Sequence, residues 1–236
     1  KITRPPYAGR APAGAMPFTR SEAITAGIDK PIEFSFQDMW PPFWEGRGVA
    51  TGDIDLDGDI DVMIASTVRG LYQYRNDGTG RFSAVEMELG EISKLPVFNA
   101  VLVDIDNDGW LDLFVTTYLS GNFWLRNEGG SFNPASLQRI ANTPNAVLTM
   151  ATSFGDVNRD GFLDVALGNW AAGWYRRIPG EESRNRVVFN KGGHMDGADF
   201  IDLEGQPGET LSLLFSDIND DGLLDLLAGN YFETPN

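Results

Sequence analysis

Asp53, Asp55, Asp57 and Asp61 stand at positions 1, 3, 5 and 9 of a nine-residue stretch, with Gly58 at position 6. The chain repeats this spacing three times. Asp104, Asp106, Asp108 and Asp112 surround Gly109; Asp156, Asn158, Asp160 and Asp164 surround Gly161; Asp217, Asn219, Asp221 and Asp225 surround Gly222. Side-chain oxygens at alternate positions of a tight turn call for a hard cation, because carboxylates a few ångströms apart repel unless positive charge sits among them. Ca²⁺ takes roughly six to eight oxygens at about 2.3–2.6 Å. The expectation is one structural Ca²⁺ per loop, up to four, held by these side chains. The backbone carbonyl of position 7 (Asp59, Trp110, Phe162 or Leu223) completes each set.

Two other structures share part of the pattern. An EF-hand keeps a bidentate Glu at position 12 between two helices. Here position 12 is Ile64, Val115, Leu167 or Ala228, and an apolar, strand-like run follows each loop. Acidic β-turns without metal are the other, since Asp and Gly favour turns by themselves; turns alone do not demand oxygens at four fixed positions four times. Charge agrees with a cation. The four segments hold sixteen of the 34 acidic residues and one of the 18 basic ones, so nearly all of the net charge of −16 lies in them. Such a balance argues against nucleic acid and anionic membranes as partners.

The rest of the composition bounds the chemistry. There is no Cys, so thiol catalysis and thiolate metal sites are excluded. The one His, His194, lies in a Gly-rich turn, and a Ser–His–Asp triad would have to use it. Glu181, Glu182, Glu204 and Glu209 fall in loops with no spacing that singles out an acid pair. No apolar run approaches the roughly 18 residues of a membrane span. The chain begins at Lys1 rather than Met, as a processed product would. Weak calcium loops fill where free calcium is high, so an extracytoplasmic location is expected.

The elements that must position the loops are short strands. In the first copy Gly48–Gly52 feeds the loop and Asp61–Ser66 leaves it; Leu71–Arg75, a turn at Asn76–Gly80 and Arg81–Val85 follow. The first residues of the four loops stand 51, 52 and 61 apart. Four short strands per period of that size predict the blade of a β-propeller, in an all-β chain. The units expected are a Pro/Ala-rich arm over 1–30 and blades over 31–236, with repeats near 47–90, 97–140, 147–200 and 210–236. Ile32–Asp38 alternates as a strand would. Trp40–Trp44 forms an aromatic loop, either a plug for the β domain or a binding surface. About three and a half blades are present, so the expectation is an incomplete ring completed by residues past Asn236 or by another polypeptide.

These loops, with the endings Arg75–Phe82 and Val188–Gly193, resemble the FG-GAP or VCBS repeats of the integrin α-subunit propeller and of secreted bacterial proteins. The resemblance covers about residues 47–236. It implies a β-propeller, usually of seven blades, with Ca²⁺ in its hairpin loops. Asn158 and Asn219 depart from the Asp usual at position 3 and lower the charge of their sites. The function this implies is a non-catalytic interaction or scaffold module, secreted, periplasmic or on a bacterial cell surface. The alternatives are an accessory subunit of a membrane-associated complex, a lectin, and a propeller-type polysaccharide lyase or glycosidase. A lectin should gather Trp110, Trp124, Trp170 and Trp174 into a shared pocket.

Overall fold

A computed structural model describes residues 20–31, 48–66, 70–118, 120–140, 148–170, 184–195, 199–204 and 209–231. The expected strand at Ile32–Asp38, the loop at Trp40–Trp44, and Trp174, Glu181 and Glu182 lie outside these residues. Among these residues fourteen strands form three four-stranded sheets and one two-stranded sheet, and every pairing is antiparallel between neighbours in sequence. The first blade is β1 Val49–Gly52, β2 Asp61–Ser66, β3 Gly70–Asn76 and β4 Phe82–Val85. In the second come β5 Val97–Val103, β6 Asp112–Thr117, β7 Asn122–Leu125 and β8 Gln138–Ile140. The third holds β9 Thr149–Gly155, β10 Asp164–Asn169, β11 Arg186–Val188 and β12 Phe200–Asp202. The last unit is the pair β13 Glu209–Ser216 and β14 Asp225–Tyr231. These are consecutive blades of a β-propeller. Among the described residues the row stays open, β5 packing on β1 and β2, and β13 on β9 and β10.

Successive residues of a strand point to opposite faces of the sheet, and the two faces of the second blade feed two cores. Leu113, Val115, Phe123 and Leu125 join Ile54, Met63 and Ala65 between the first and second blades. Phe114 and Trp124 turn the other way, joining Ile105, Val165, Leu167 and Val188 between the second and third. A strand covered on both sides can be apolar at every position, which is why β6 and β10 are buried throughout. In the first blade the same alternation leaves Val62 and Ile64 only half-buried.

The outer edges are held differently. Residues 20–31 lie along the first blade: the Lys30 N–H donates to Tyr74 Oη at 2.8 Å, and Gly27 abuts the Phe82 carbonyl too closely for any side chain. In the third blade, the three-residue outer strand β12 is fastened by Asp202. Its carboxylate meets Arg186 directly across the ladder, at 2.7 Å to Nε and 3.2 Å to Nη2. Arg186 is fully buried and stacks 3.7 Å above the Phe200 ring. Asp202→Ala should therefore cost about 3 kcal/mol, the lower end for breaking a buried pair, because Asp202 keeps 29 % of its side chain exposed. Urea unfolding checks this, and a cost below the roughly 1 kcal/mol of a surface pair would show that the guanidinium is satisfied without Asp202.

Candidate metal centres

Each loop joins the first strand of its blade to the second, and its own carboxylates wind it. The position-1 Asp accepts two backbone N–H groups, from positions 5 and 6. Asp53 takes Asp57 and Gly58 at 3.1 and 2.9 Å; Asp104 takes Asp108 and Gly109 at 3.1 and 3.0 Å. Asp156 and Asp217 do the same in the third and fourth loops. Position 5 then accepts the N–H of position 7, namely Asp59, Trp110, Phe162 and Leu223, at 2.8–2.9 Å. The winding needs left-handed backbone at position 6, where φ is 81–97°, and glycine fills it each time. Position 4 is left-handed too, at Leu56, Asn107, Arg159 and Asp220.

The turn brings oxygens of positions 1, 3 and 5 together. In the first loop one carboxylate oxygen from each of Asp53, Asp55 and Asp57 lies within 4.8 Å of the others. Asp104, Asp106 and Asp108 do the same in the second. In the third and fourth loops the wound geometry is kept with one carboxylate fewer. There the Asn158 and Asn219 amides donate to the neighbouring Asp160 and Asp221 carboxylates at 2.9 and 3.0 Å.

Position 9 is built differently from the other three. Asp61, Asp112 and Asp164 are fully buried, and both oxygens of each accept backbone N–H groups. One comes from position 2 (Ile54, Ile105 or Val157, 3.0–3.2 Å) and the other from the end of the third strand or just past it (Asn76, Asn127 or Asn190, 2.8–2.9 Å). Asp225 accepts from Ile218 in the same way. The position-9 carboxylate thus ties its loop to its blade. Burial pushes all three acids up, Asp112 to about 6, against the lowering effect of these N–H bonds. Nearby acids add to the rise: Asp55 and Asp57 for Asp61, Asp106 for Asp112, Asp160 for Asp164.

The donor set fits a hard, oxygen-liganded cation. Oδ1 of Asp55, one of the three acids of the first triad, is buried with no hydrogen-bond partner. Oδ2 of the same residue is 2.9 Å from Arg75 Nη1. Arg126 pairs with Asp106 in the second loop. In the third blade both members change together: Asn158 replaces the acid, and Phe189 stands where the arginine would be.

Sequence reasoning missed these arginines and the asparagine that follows them. Asn127 and Asn190 Nδ2 donate to the Ile54 and Ile105 carbonyls of the preceding blade's loop at 2.8 and 2.7 Å. Their Oδ1 atoms accept from Gly130 and Gly193 at 2.9 Å. The available signal was the recurrence of Asn before a Gly turn, at Asn76, Asn127 and Asn190.

The shared aromatic pocket that a lectin would need does not form among the described residues. Trp124 and Trp170 are buried in two different cores, and Trp110 is half-buried in the second loop. A carbohydrate platform needs exposed rings, whereas propeller packing draws these two inward. His194 is exposed, its carbonyl accepting from the Lys191 N–H. Glu204 is exposed as well.

Comparison with known proteins places the repeats. A family model described as an FG-GAP-like repeat matches residues 53–115 and 104–167. Integrin alpha-7 of Mus musculus is 32 % identical over 81 residues, and that of Rattus norvegicus 30 % over the same length. Each match takes in 30 % of this chain and 7 % of the relative.

Proposed function

The chain carries FG-GAP repeats, and from that premise we propose that it is a calcium-stabilised, non-catalytic interaction module working outside the cytosol. The observation that supports the metal reading is the triad geometry, with the partnerless Asp55 Oδ1 at its edge. Asp53, Asp55, Asp57 and Asp61, with the Asp59 carbonyl, would hold the ion of the first loop, and the corresponding residues those of the other three. The bound ion supplies charge neutralisation alone. The chain's residues do the rest, fixing each hairpin to its blade through the position-9 Asp and to the following blade through Asn127 or Asn190. No helix among the described residues is long and apolar enough to cross a membrane.

The partner is a protein or further blades of the same kind. Position 2 explains why. Ile54 and Ile105 are fully buried under the next blade, whereas Ile218, their counterpart in the fourth unit, is 59 % exposed. Leu214 and Leu227 are exposed beside each other on the same pair of strands. Exposed apolar groups gathered on one unit suit a packed protein contact.

Calorimetric titration of metal-free protein tests the calcium reading. The first two loops should bind more tightly than the third and fourth, where Asn158 and Asn219 remove one charge each. Fewer than two sites, or equal preference for Mg²⁺, is incompatible with it.

A further inference from the structure

In the first two units the position-3 acid is held from outside its own loop. Gly130, in the turn between β7 and β8, lies so close to the first blade's loop that a Cβ there would stand 2.7 Å from Asp55 Cβ. Gly193 has the same place in the third blade, with a would-be Cβ 2.6 Å from Asp106 Cβ. Arg75 joins the same two parts: Nη1 reaches Asp55, and Nη2 donates to the Gly130 carbonyl at 3.0 Å. The Asn127 and Asn190 bonds fall on Ile54 and Ile105, immediately before the two acids. Asp55 keeps 16 % of its side chain exposed and Asp106 4 %, whereas Asn158 and Asn219 are exposed.

We infer that cation binding in the first and second loops is linked to docking of the following blade, whose glycine turn holds the position-3 ligand in place. The inference rests on the calcium reading above. A ligand must sit within about half an ångström of its productive place, and a carboxylate wedged against a neighbouring backbone has surrendered that freedom before the ion arrives. Linkage runs both ways, so the ion in one blade must steady the turn of the next. Each turn supplies its own control. Gly129 and Gly192 are also left-handed, with φ of +66° and +64°, but nothing lies within 4 Å of a Cβ built on them.

The test is calcium titration of the full chain carrying Gly130→Ala or Gly129→Ala, then Gly193→Ala or Gly192→Ala. Both members of each pair strain the backbone, but only one touches the acid. Gly130→Ala should weaken a single site at least tenfold and leave the others unchanged, with Gly129→Ala titrating as the unaltered chain does. Gly193→Ala should do the same to a different site. Matching titrations within each pair overturn the linkage while leaving the calcium sites standing; no uptake by the unaltered chain overturns the calcium reading itself. If Gly130→Ala does not fold, Asp57→Ala gives the converse. At saturating calcium, its loss from the first site should speed amide exchange at Glu128 and Gly130 in the next blade, and unchanged exchange rejects the linkage.

Discussion

Chelating calcium should lower the melting temperature of the chain by more than any single substitution. Each site filled at a hundredfold excess over its Kd adds about 2.7 kcal/mol. For a chain of this size roughly 2–4 °C accompanies each kcal/mol, so one site is worth roughly 5–11 °C. The physical source is the charge of the loops, which Arg75 and Arg126 offset only in part. The Asp53 and Asp104 triads are drawn together by backbone N–H groups, which offer partial charges where a divalent ion offers two. Blades stacked in a row lose stability piecewise, so the melt should broaden as well as shift. Thermal unfolding followed by circular dichroism, with and without chelator, gives the answer. Coincident curves would mean that calcium does not hold this fold.

Asp112→Ala should be the most damaging substitution in the loops, and its cost should persist in chelator. The alanine leaves the Ile105 and Asn127 N–H groups buried without acceptors. At about 1–3 kcal/mol for each unmet buried group, the loss is about 4 kcal/mol before any ion is considered. Asp108→Ala is the contrast. Asp108 is exposed and accepts the exposed Trp110 N–H, so its removal should matter only while calcium is present. Urea unfolding of both variants, each with and without chelator, separates the two roles. If the Asp112→Ala cost disappears once calcium is removed, the position-9 acid is a ligand and not a structural anchor.

The loops were legible because a calcium-type hairpin writes its donors into adjacent residues, and the spacing of Asp53, Asp55 and Asp57 is the geometry itself. The blade order was legible for a similar reason, since antiparallel strands joined by short turns pair with their neighbours in sequence. What could not be read is whatever depends on the next blade. Whether Trp124 and Trp170 would be exposed, as a lectin requires, was one such question, and packing against the neighbouring blades buries both. Leu56 in left-handed backbone has no sequence signature, because leucine seldom goes there; the loop winding imposes it. Arg75 gave no sign of its role, as its two partners lie 20 residues back and 55 ahead.

The contacts between successive hairpins, whichever side donates, join each one to a part of the chain made after it. Asn107 donates to the Gly161 carbonyl, Arg159 to that of Gly222, and Arg75 to that of Gly130, each reaching from one unit to the one made after it. During synthesis a hairpin therefore emerges before the parts that finish it. At roughly 5–20 residues per second, the 51 residues from Asp53 to Asp104 take roughly 3–10 s. For that interval the newest acidic turn is half-made, while the one before it has just been completed. Ribosome-arrested chains of increasing length should show this as a staircase of protease resistance, each step falling one unit behind the nascent end. Resistance that rose in phase with each hairpin's own emergence would mean that the units mature independently.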